Sequence, residues 1–188
     1  MFCMMRLTVV FFIVALFVPS VAAAPPQWIV LESSRVGFVA SQAGAPVEGI
    51  FEAFDADVRF DLDDPESSTA KVVIDIASVN SQSSDRDATI RSASLFDVAT
   101  WPTAIFEATS FAPGDVAGEF LANGTLTMRD VTKDVVLVFT LSFEGNTAHA
   151  AGALDIMRLD YGIGQGMWAD TSVVANEVSI TIDIHATR

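Results

Sequence analysis

The chain is poor in cysteine and histidine. Its 188 residues include one cysteine, Cys3, and two histidines, His149 and His185. A single cysteine excludes an intramolecular disulfide and a thiolate metal cluster. Two histidines far apart in the sequence argue against a zinc site. We therefore predict neither a bound metal nor a cofactor.

Positive charge is also scarce. The chain has 10 Lys and Arg residues against 24 Asp and Glu residues, which gives a net charge of −14 and a pI of about 4.2. A field of this sign repels phosphate backbones and argues against a nucleic-acid partner. The hydrophobic fraction of 51% and the 14 phenylalanines indicate a folded chain rather than an acidic disordered one.

Long apolar runs are confined to the N-terminus. Residues 1–6 carry one basic residue and no acid, residues 7–18 are apolar apart from Thr8, and small residues follow. This is the pattern of a secretory signal peptide, and the run is shorter than the ~20 residues of a spanning helix. We expect residues 1–23 to be removed by cleavage before Ala24 and residues 24–188 to form one exported domain. An uncleaved N-terminal anchor is the alternative.

Alternation of apolar and polar residues runs through the rest of the chain. It is clearest near the C-terminus, where Val178, Ile180 and Ile182 alternate with polar residues, and it recurs in residues 34–39, 54–60, 72–77, 136–143 and 154–157. A period of two predicts strands, and many strands separated by turn residues predict an all-β antiparallel sandwich or barrel. Only residues 83–94 lack the alternation, and they predict a short helix near residues 84–93. Phe51 is out of phase with Phe54, which suggests a bulge near Glu52–Ala53.

The alternation also predicts which side chains face inward. This set is almost wholly apolar and comprises Val36, Phe38, Phe54, Val58, Phe60, Ile74, Ile76, Phe106, Leu126, Phe139, Leu141, Ile156, Ile180 and Ile182. A small barrel of this kind is either filled by its own side chains or holds one small ligand, and the pattern leaves both open. An outer-membrane barrel is a further alternative, but the acidic residues within the strands favour a soluble one.

Polar chemistry is sparse. The sequence has no nucleophile-elbow motif, and both histidines are predicted to be solvated surface residues, so we predict no catalytic residue. Arg158 has inward parity, which is costly for a charge unless it is paired or lies at the rim. We expect it at the barrel mouth or beside Asp87 or Asp97.

Ordered motifs over the mature chain resemble the YceI family of bacterial periplasmic polyisoprenoid-binding proteins. The motifs are SRVGF at 34–38, VRFD at 58–61, VVID at 72–75, RDATIRS at 86–92, WP at 101–102, GTLT at 124–127, RLDYGIGQGMWADTS at 158–172 and EVSITI at 177–182. Thr89 departs from the pattern, since many relatives carry histidine there.

The resemblance implies an extended lipocalin-like barrel of about eight strands, with the helix closing part of it. It also implies that the lumen holds an isoprenoid lipid or quinone-like ligand rather than a packed core. The ligand-binding residues would be the inward-facing set above, with Arg86, Asp87 and Arg158 at the mouth. Relatives are often homodimers, although nothing in this chain marks the interface.

The sequence thus predicts a periplasmic, non-enzymatic lipid-binding protein for storage or transport. Two alternatives stay open. One is an enzyme that acts on an exported lipid or quinone, with Arg86, Asp87, Arg158 or Asp160 at the mouth. The other is a structural or adhesion module with a filled barrel.

Overall fold

A computed structural model describes residues 24–188, so the expected signal peptide lies outside the described residues. Strands account for most of this part of the chain. They are β1 (Gln27–Val30), β2 (Arg35–Gln42), β3 (Ala45–Phe51), β4 (Phe54–Arg59), β5 (Thr69–Asp75), β6 (Val79–Asn80), β7 (Thr103–Pro113), β8 (Glu119–Met128), β9 (Val131–Glu144), β10 (Thr147–Met157) and β11 (Val174–Thr187). One α-helix, α1 (Ser84–Arg91), is present among the described residues.

Eight of the strands close into an antiparallel barrel. The order around the ring is β1, β4, β5, β7, β8, β9, β10 and β11, and β11 pairs again with β1. Every neighbouring pair in this ring is antiparallel. The predicted all-β barrel of about eight strands is confirmed.

The barrel wall forks along β11. Its C-terminal residues Ala186 and Thr187 pair with β1, whereas the stretch from Val174 to Asp183 pairs with β2. From β2 the sheet continues through β3 to β6. Strands β1 and β4 therefore complete one end of the wall, and β2, β3 and β6 extend it at the other end, which we call the α1 end.

The expected bulge near Glu52–Ala53 is wrong. These two residues separate β3 from β4, so Phe51 and Phe54 lie in different strands and need not share a parity. Their backbone groups are satisfied by Ser78, whose carbonyl oxygen accepts from the Glu52 N–H at 3.1 Å. Alternation cannot distinguish a bulge from a corner of two residues, because both shift the phase by one.

The helix expected near residues 84–93 is confirmed as α1. Ser83 occupies the N-cap position, although its side chain makes no capping hydrogen bond. The one fully buried residue of α1 is Asp87, and Ile90 is the apolar side chain that packs the helix against the core. Within residues 24–188, no helix has the length and apolar character needed to cross a membrane.

The inward parity follows the sequence pattern. On β9, Leu137 and Phe139 are buried while Val136 and Val138 on the opposite face are exposed. The buried side chains form two clusters, one at the α1 end around Ile76 and Tyr161, and one at the other end around Trp28 and Phe60. We call the second end the distal end.

Candidate functional site

The distal half of the barrel encloses an apolar cavity of about 160 Å³. Valine, leucine, isoleucine, alanine and aromatic side chains line it, among them Phe60, Phe106, Phe139 and Leu141. Trp28 also lines the cavity, but its indole N–H is already paired, since it donates to the carbonyl oxygen of Phe60 at 3.0 Å. The cavity therefore offers a ligand no unpaired polar side chain among the described residues.

Trp28 lies at the distal end of the barrel. Its ring centroid lies 5.7 Å from that of Phe143, and the guanidinium carbon of Arg188 lies 4.9 Å from the indole centroid. Aromatic pairs and cation–π contacts of this kind are favourable.

A second cavity of about 410 Å³ lies at the α1 end. It shares Val36, Ile74 and Ile180 with the distal cavity, so the two are neighbouring parts of one lumen. Its size falls within the range of roughly 300–1,000 Å³ of small-molecule sites. Unlike the distal cavity it has polar lining residues, which are Gln42, Ser83, Asp85, Arg86, Thr89 and Arg158.

The predicted lumen residues line these two cavities, with one exception. Phe60, Ile74, Phe106, Leu126, Phe139, Leu141, Ile180 and Ile182 line the distal cavity, and Phe38, Ile76 and Ile156 line the one at the α1 end. Phe54 instead lines a groove where β1 and β4 diverge from β2 and β3. It still packs against the core cluster at the α1 end.

Four phenylalanines fill the part of the barrel beside the distal cavity. The ring of Phe60 meets Phe111 and Phe120 edge to face at 5.4 and 5.5 Å, and Phe120 stacks on Phe139 at 5.9 Å. Edge-to-face and offset pairs are favoured geometries. Here the barrel is packed, whereas the larger cavity lies at the α1 end, so neither the filled nor the hollow alternative describes the whole lumen.

Sequence parity missed Phe111 because the pairing of β7 with β8 shifts between Ala108 and Ser110. After this irregularity the odd-numbered Phe111 is buried like the even-numbered Ala108 before it. Phe120 could have been found, since Phe120, Ala122 and Leu126 keep a constant parity. The apolar Leu121 beside them obscured the alternation.

Asp87 is one of three predicted mouth residues, and it anchors α1 rather than lining a cavity. Its Oδ1 accepts from the hydroxyl of Ser81 at 2.6 Å and from the Ser81 N–H at 2.9 Å. Burial by itself would raise the pKa of Asp87, but these hydrogen bonds and the charges of Arg91 and Arg86 outweigh it and hold the pKa below its ordinary value. The helix is thereby fixed to the chain that follows β6.

Arg158 lines the cavity at the α1 end, which we call the mouth, and it is 3% exposed. The carboxylate partners expected for it, Asp87 and Asp97, are not its partners. Its guanidinium group donates to the carbonyl oxygens of Ile163, Val174 and Ala175 at 2.7–2.9 Å. Burial lowers the pKa of Arg158. Alternation indicated an inward charge but carried no information about which backbone groups would meet it.

Arg86 is the other cation at the mouth. It lines the cavity at the α1 end and has no hydrogen-bond or salt-bridge partner among residues 24–188. Thr89, which lies one turn away on the same helix, donates its hydroxyl to the Asp85 carbonyl oxygen at 2.8 Å. The mouth thus has two cations, one buried and one partly exposed, and it adjoins the apolar distal cavity.

Comparison with known proteins agrees with this architecture. The model of the YceI-like domain matches residues 29–186. The chain belongs to the YceI-like family.

Individual relatives extend the match. A UPF0312 protein of Azotobacter vinelandii (strain DJ) is 34% identical over 146 residues, which cover 74% of this chain and 73% of the relative. The crystal structure of Burkholderia cenocepacia BcnA has a TM-score of 0.81 at 32% identity, over 84% of this chain and 99% of BcnA. A polyisoprenoid binding domain from Saccharophagus degradans shares the fold, with a TM-score of 0.65 at 18% identity over 86% of this chain and 97% of that domain.

This YceI-like domain also has a polar cluster that sequence reasoning missed. The two histidines, His149 and His185, are cross-strand neighbours on the outer surface of the barrel and meet at Asp183. Their separation in the sequence made them look unrelated. The sequence did carry a signal, because both histidines lie in long strands. Two long strands that pair with each other can bring residues distant in sequence together.

Proposed function

We propose that this YceI-like domain is a binding protein that holds the apolar chain of a polyisoprenoid, or of a similar long amphiphile such as a quinone with its tail, in the barrel lumen. The polarity gradient along the lumen supports this most directly. The distal cavity offers hydrocarbon contacts, and charged side chains gather at the α1 end. An amphiphile matches this gradient with its chain inside and its head group at the mouth.

The lumen is long enough for a chain of several prenyl units. From Val178 to Ala186, β11 lines first one cavity and then the other. At a rise of about 3.3 Å per residue this stretch of strand is roughly 26 Å long, and a strand tilt of about 35–45° makes it roughly 20 Å along the barrel axis. Each buried CH₂ group contributes about 0.8 kcal/mol, so burial alone can supply tight binding. A catalytic group is not needed for this function.

Arg86 and Arg158 favour a head group that accepts hydrogen bonds or carries negative charge. Arg86 lies at the cavity without a partner among the described residues, and Arg158 is a buried cation bound only to neutral carbonyl groups. A phosphate or quinone oxygen at the mouth would offset the cost of burying that charge.

The solved Saccharophagus structure is named a polyisoprenoid binding domain, which supports the same ligand class for this chain. We further propose that the protein acts in the periplasm, in storage or transport of its ligand, after removal of residues 1–23. The homodimer expected from the family resemblance stays a prediction.

Lipid extraction tests the binding proposal. The protein isolated from cells without added detergent is extracted with organic solvent, and the extract is analysed by mass spectrometry. We expect one class of prenyl-containing amphiphile close to equimolar with the protein. An extract that contains no lipid, together with no uptake of added polyprenol or ubiquinone, would contradict the proposal. Chemical turnover of the extracted lipid by the protein would favour the enzyme alternative.

A further inference from the structure

The outer surface of β10 and β11 carries a cluster of three potential metal ligands. In the antiparallel register His149 lies directly opposite His185, and Asp183 lies two residues before His185 on the same face. The imidazole rings stack with centroids 4.4 Å apart and an interplanar angle of 8°. Both histidines of the chain therefore lie in this cluster.

The ligand atoms converge. The Nε2 atom of His149 lies 2.6 Å from Oδ1 of Asp183, and the Nε2 atom of His185 lies 3.4 Å from the same oxygen. Ligand atoms from the three side chains all lie within 4.8 Å of one another. In a tetrahedral zinc site with bonds of about 2.0–2.2 Å, ligand atoms lie about 3.3 Å apart, so rotation of the two stacked rings toward a common point would admit an ion.

The backbone under the cluster is well fixed. Strand β10 pairs with β9 on one side and with β11 on the other, and the β10–β11 register is unbroken from Thr147 to Met157. Ligands on an interior strand pair need little reorganisation, which favours binding. The side chains are accessible, with exposed fractions of 44% for His149, 53% for Asp183 and 38% for His185.

We propose that His149, Asp183 and His185 form a surface binding site for a divalent transition-metal ion, with Zn²⁺ as its representative. Two imidazole nitrogens and one carboxylate oxygen suit zinc or copper, whereas calcium and magnesium require mainly oxygen ligands. Three protein ligands leave at least one position for water. The proposal replaces the expectation of no metal that the separation of the histidines in sequence suggested.

The site is independent of the lumen. Ala148 and Ala186, which adjoin the two histidines in their strands, line the distal cavity, so the histidines lie on the other side of the wall. A bound ion would link β10 to β11 and stabilise the folded chain in proportion to the logarithm of its concentration. This inference does not rest on the proposed lipid binding.

Zinc titration of the protein without a histidine tag tests the site. After treatment with EDTA and dialysis, calorimetry with ZnCl₂ should show one ion per chain, and MgCl₂ at the same concentration should not compete. His149→Ala, His185→Ala and Asp183→Asn should each weaken zinc binding on the order of tenfold or more. Because the chain has two histidines, their imidazole proton NMR signals should both shift with zinc, whereas the rest of the strand signals change little.

A matched control separates coordination from general attraction to an acidic protein. Asp155 is an exposed carboxylate on β10 opposite Ser179, away from the cluster. Asp155→Asn removes the same charge as Asp183→Asn and should leave zinc affinity unchanged. Equal losses in these two variants would overturn the proposal, as would unchanged binding in His149→Ala and His185→Ala or the absence of stoichiometric binding by the wild type. Circular dichroism of each variant checks that the barrel is folded.

Discussion

Arg158 is a buried cation that holds together two segments at the mouth of the barrel. Its guanidinium group joins the carbonyl of Ile163, which follows the 3₁₀ turn Arg158–Tyr161, to the carbonyls of Val174 and Ala175 at the start of β11. If the Arg158 side chain is removed, the three carbonyl oxygens lose their donor, and each unsatisfied buried group costs about 1–3 kcal/mol.

Arg158→Met should therefore lower the free energy of unfolding on the order of 3 kcal/mol and reduce the lipid that copurifies with the protein. Urea denaturation and lipid extraction measure the two effects. Arg35→Met is the matched control, since Arg35 also donates to three carbonyl oxygens but is exposed, so that water can replace it. Equal stability of the two variants would contradict the role given to Arg158.

Asp87 makes stability depend on pH in the acid range. Its pKa is lower in the folded chain than in the unfolded one, so its contribution is complete above the unfolded value of about 3.9 and is lost as the pH falls through the folded value. Asp87→Asn should be less stable than the wild type at pH 7, and this difference should shrink below about pH 4. Denaturation at a series of pH values measures it. Asp85→Asn on the same helix is the control for the loss of one negative charge, since Asp85 is exposed and its side chain has no hydrogen bond within residues 24–188.

At the scale of elements, the connection from β10 to β11 forms the mouth and depends on one glycine. Gly164 has φ +126°, and a Cβ atom there would collide with the guanidinium group of Arg158 and lie 2.8 Å from the Trp168 carbonyl oxygen. No side chain fits this position while Arg158 keeps its hydrogen bonds. The connection and the buried arginine therefore require each other.

Gly164→Ala should destabilise the fold by more than the roughly 1–2 kcal/mol cost of a left-handed backbone alone. Gly166→Ala is the control, because Gly166 also has a positive φ, of +60°, but has no atom within 4 Å of a Cβ. Thermal unfolding of both variants measures the difference. A loss at Gly164 no larger than that at Gly166 would show that the contact with Arg158 is unimportant.

For the whole molecule, the central question is whether the lumen holds a ligand. Leu141 lines the distal cavity, and Leu141→Trp should displace the ligand while leaving the melting temperature near that of the wild type. A tightly filled interior would instead be overpacked, at a cost of about 1–3 kcal/mol. Lipid extraction and thermal unfolding together distinguish these outcomes.

Val136→Trp is the matched control for Leu141→Trp. It adds the same aromatic group to β9, but on the outer face, where Val136 is 47% exposed. This variant should keep its lipid. If Leu141→Trp melts far below the wild type, and the wild type yields no lipid, the binding proposal loses its support.

Export is a property of the whole chain as well. N-terminal sequencing of the mature protein should begin at Ala24, after removal of the short apolar run in residues 7–18. Recovery of Met1 in a membrane fraction would contradict the prediction of a cleaved signal peptide and support the N-terminal anchor instead.

The sequence by itself determined the class of fold and much of the lumen. Strict alternation around Phe139 and Ile180 specifies which face of a strand is buried, because a slip of one residue would expose every apolar side chain of that face. The same local reasoning located α1, where the alternation stops. Ordered motifs such as the one at residues 158–172 then indicated the family.

Tertiary structure alone decided the features that depend on register and on breaks in the strands. The irregularity at Ala108–Ser110 turned Phe111 inward, and the corner at residues 52–53 separated Phe51 from Phe54. The β10–β11 register joined His149 to His185 across 35 intervening residues, and three backbone carbonyls replaced the carboxylate expected beside Arg158. Alternation reports only the burial of each residue along its own strand, whereas these contacts join residues distant in sequence, whose pairing is set by the closed barrel.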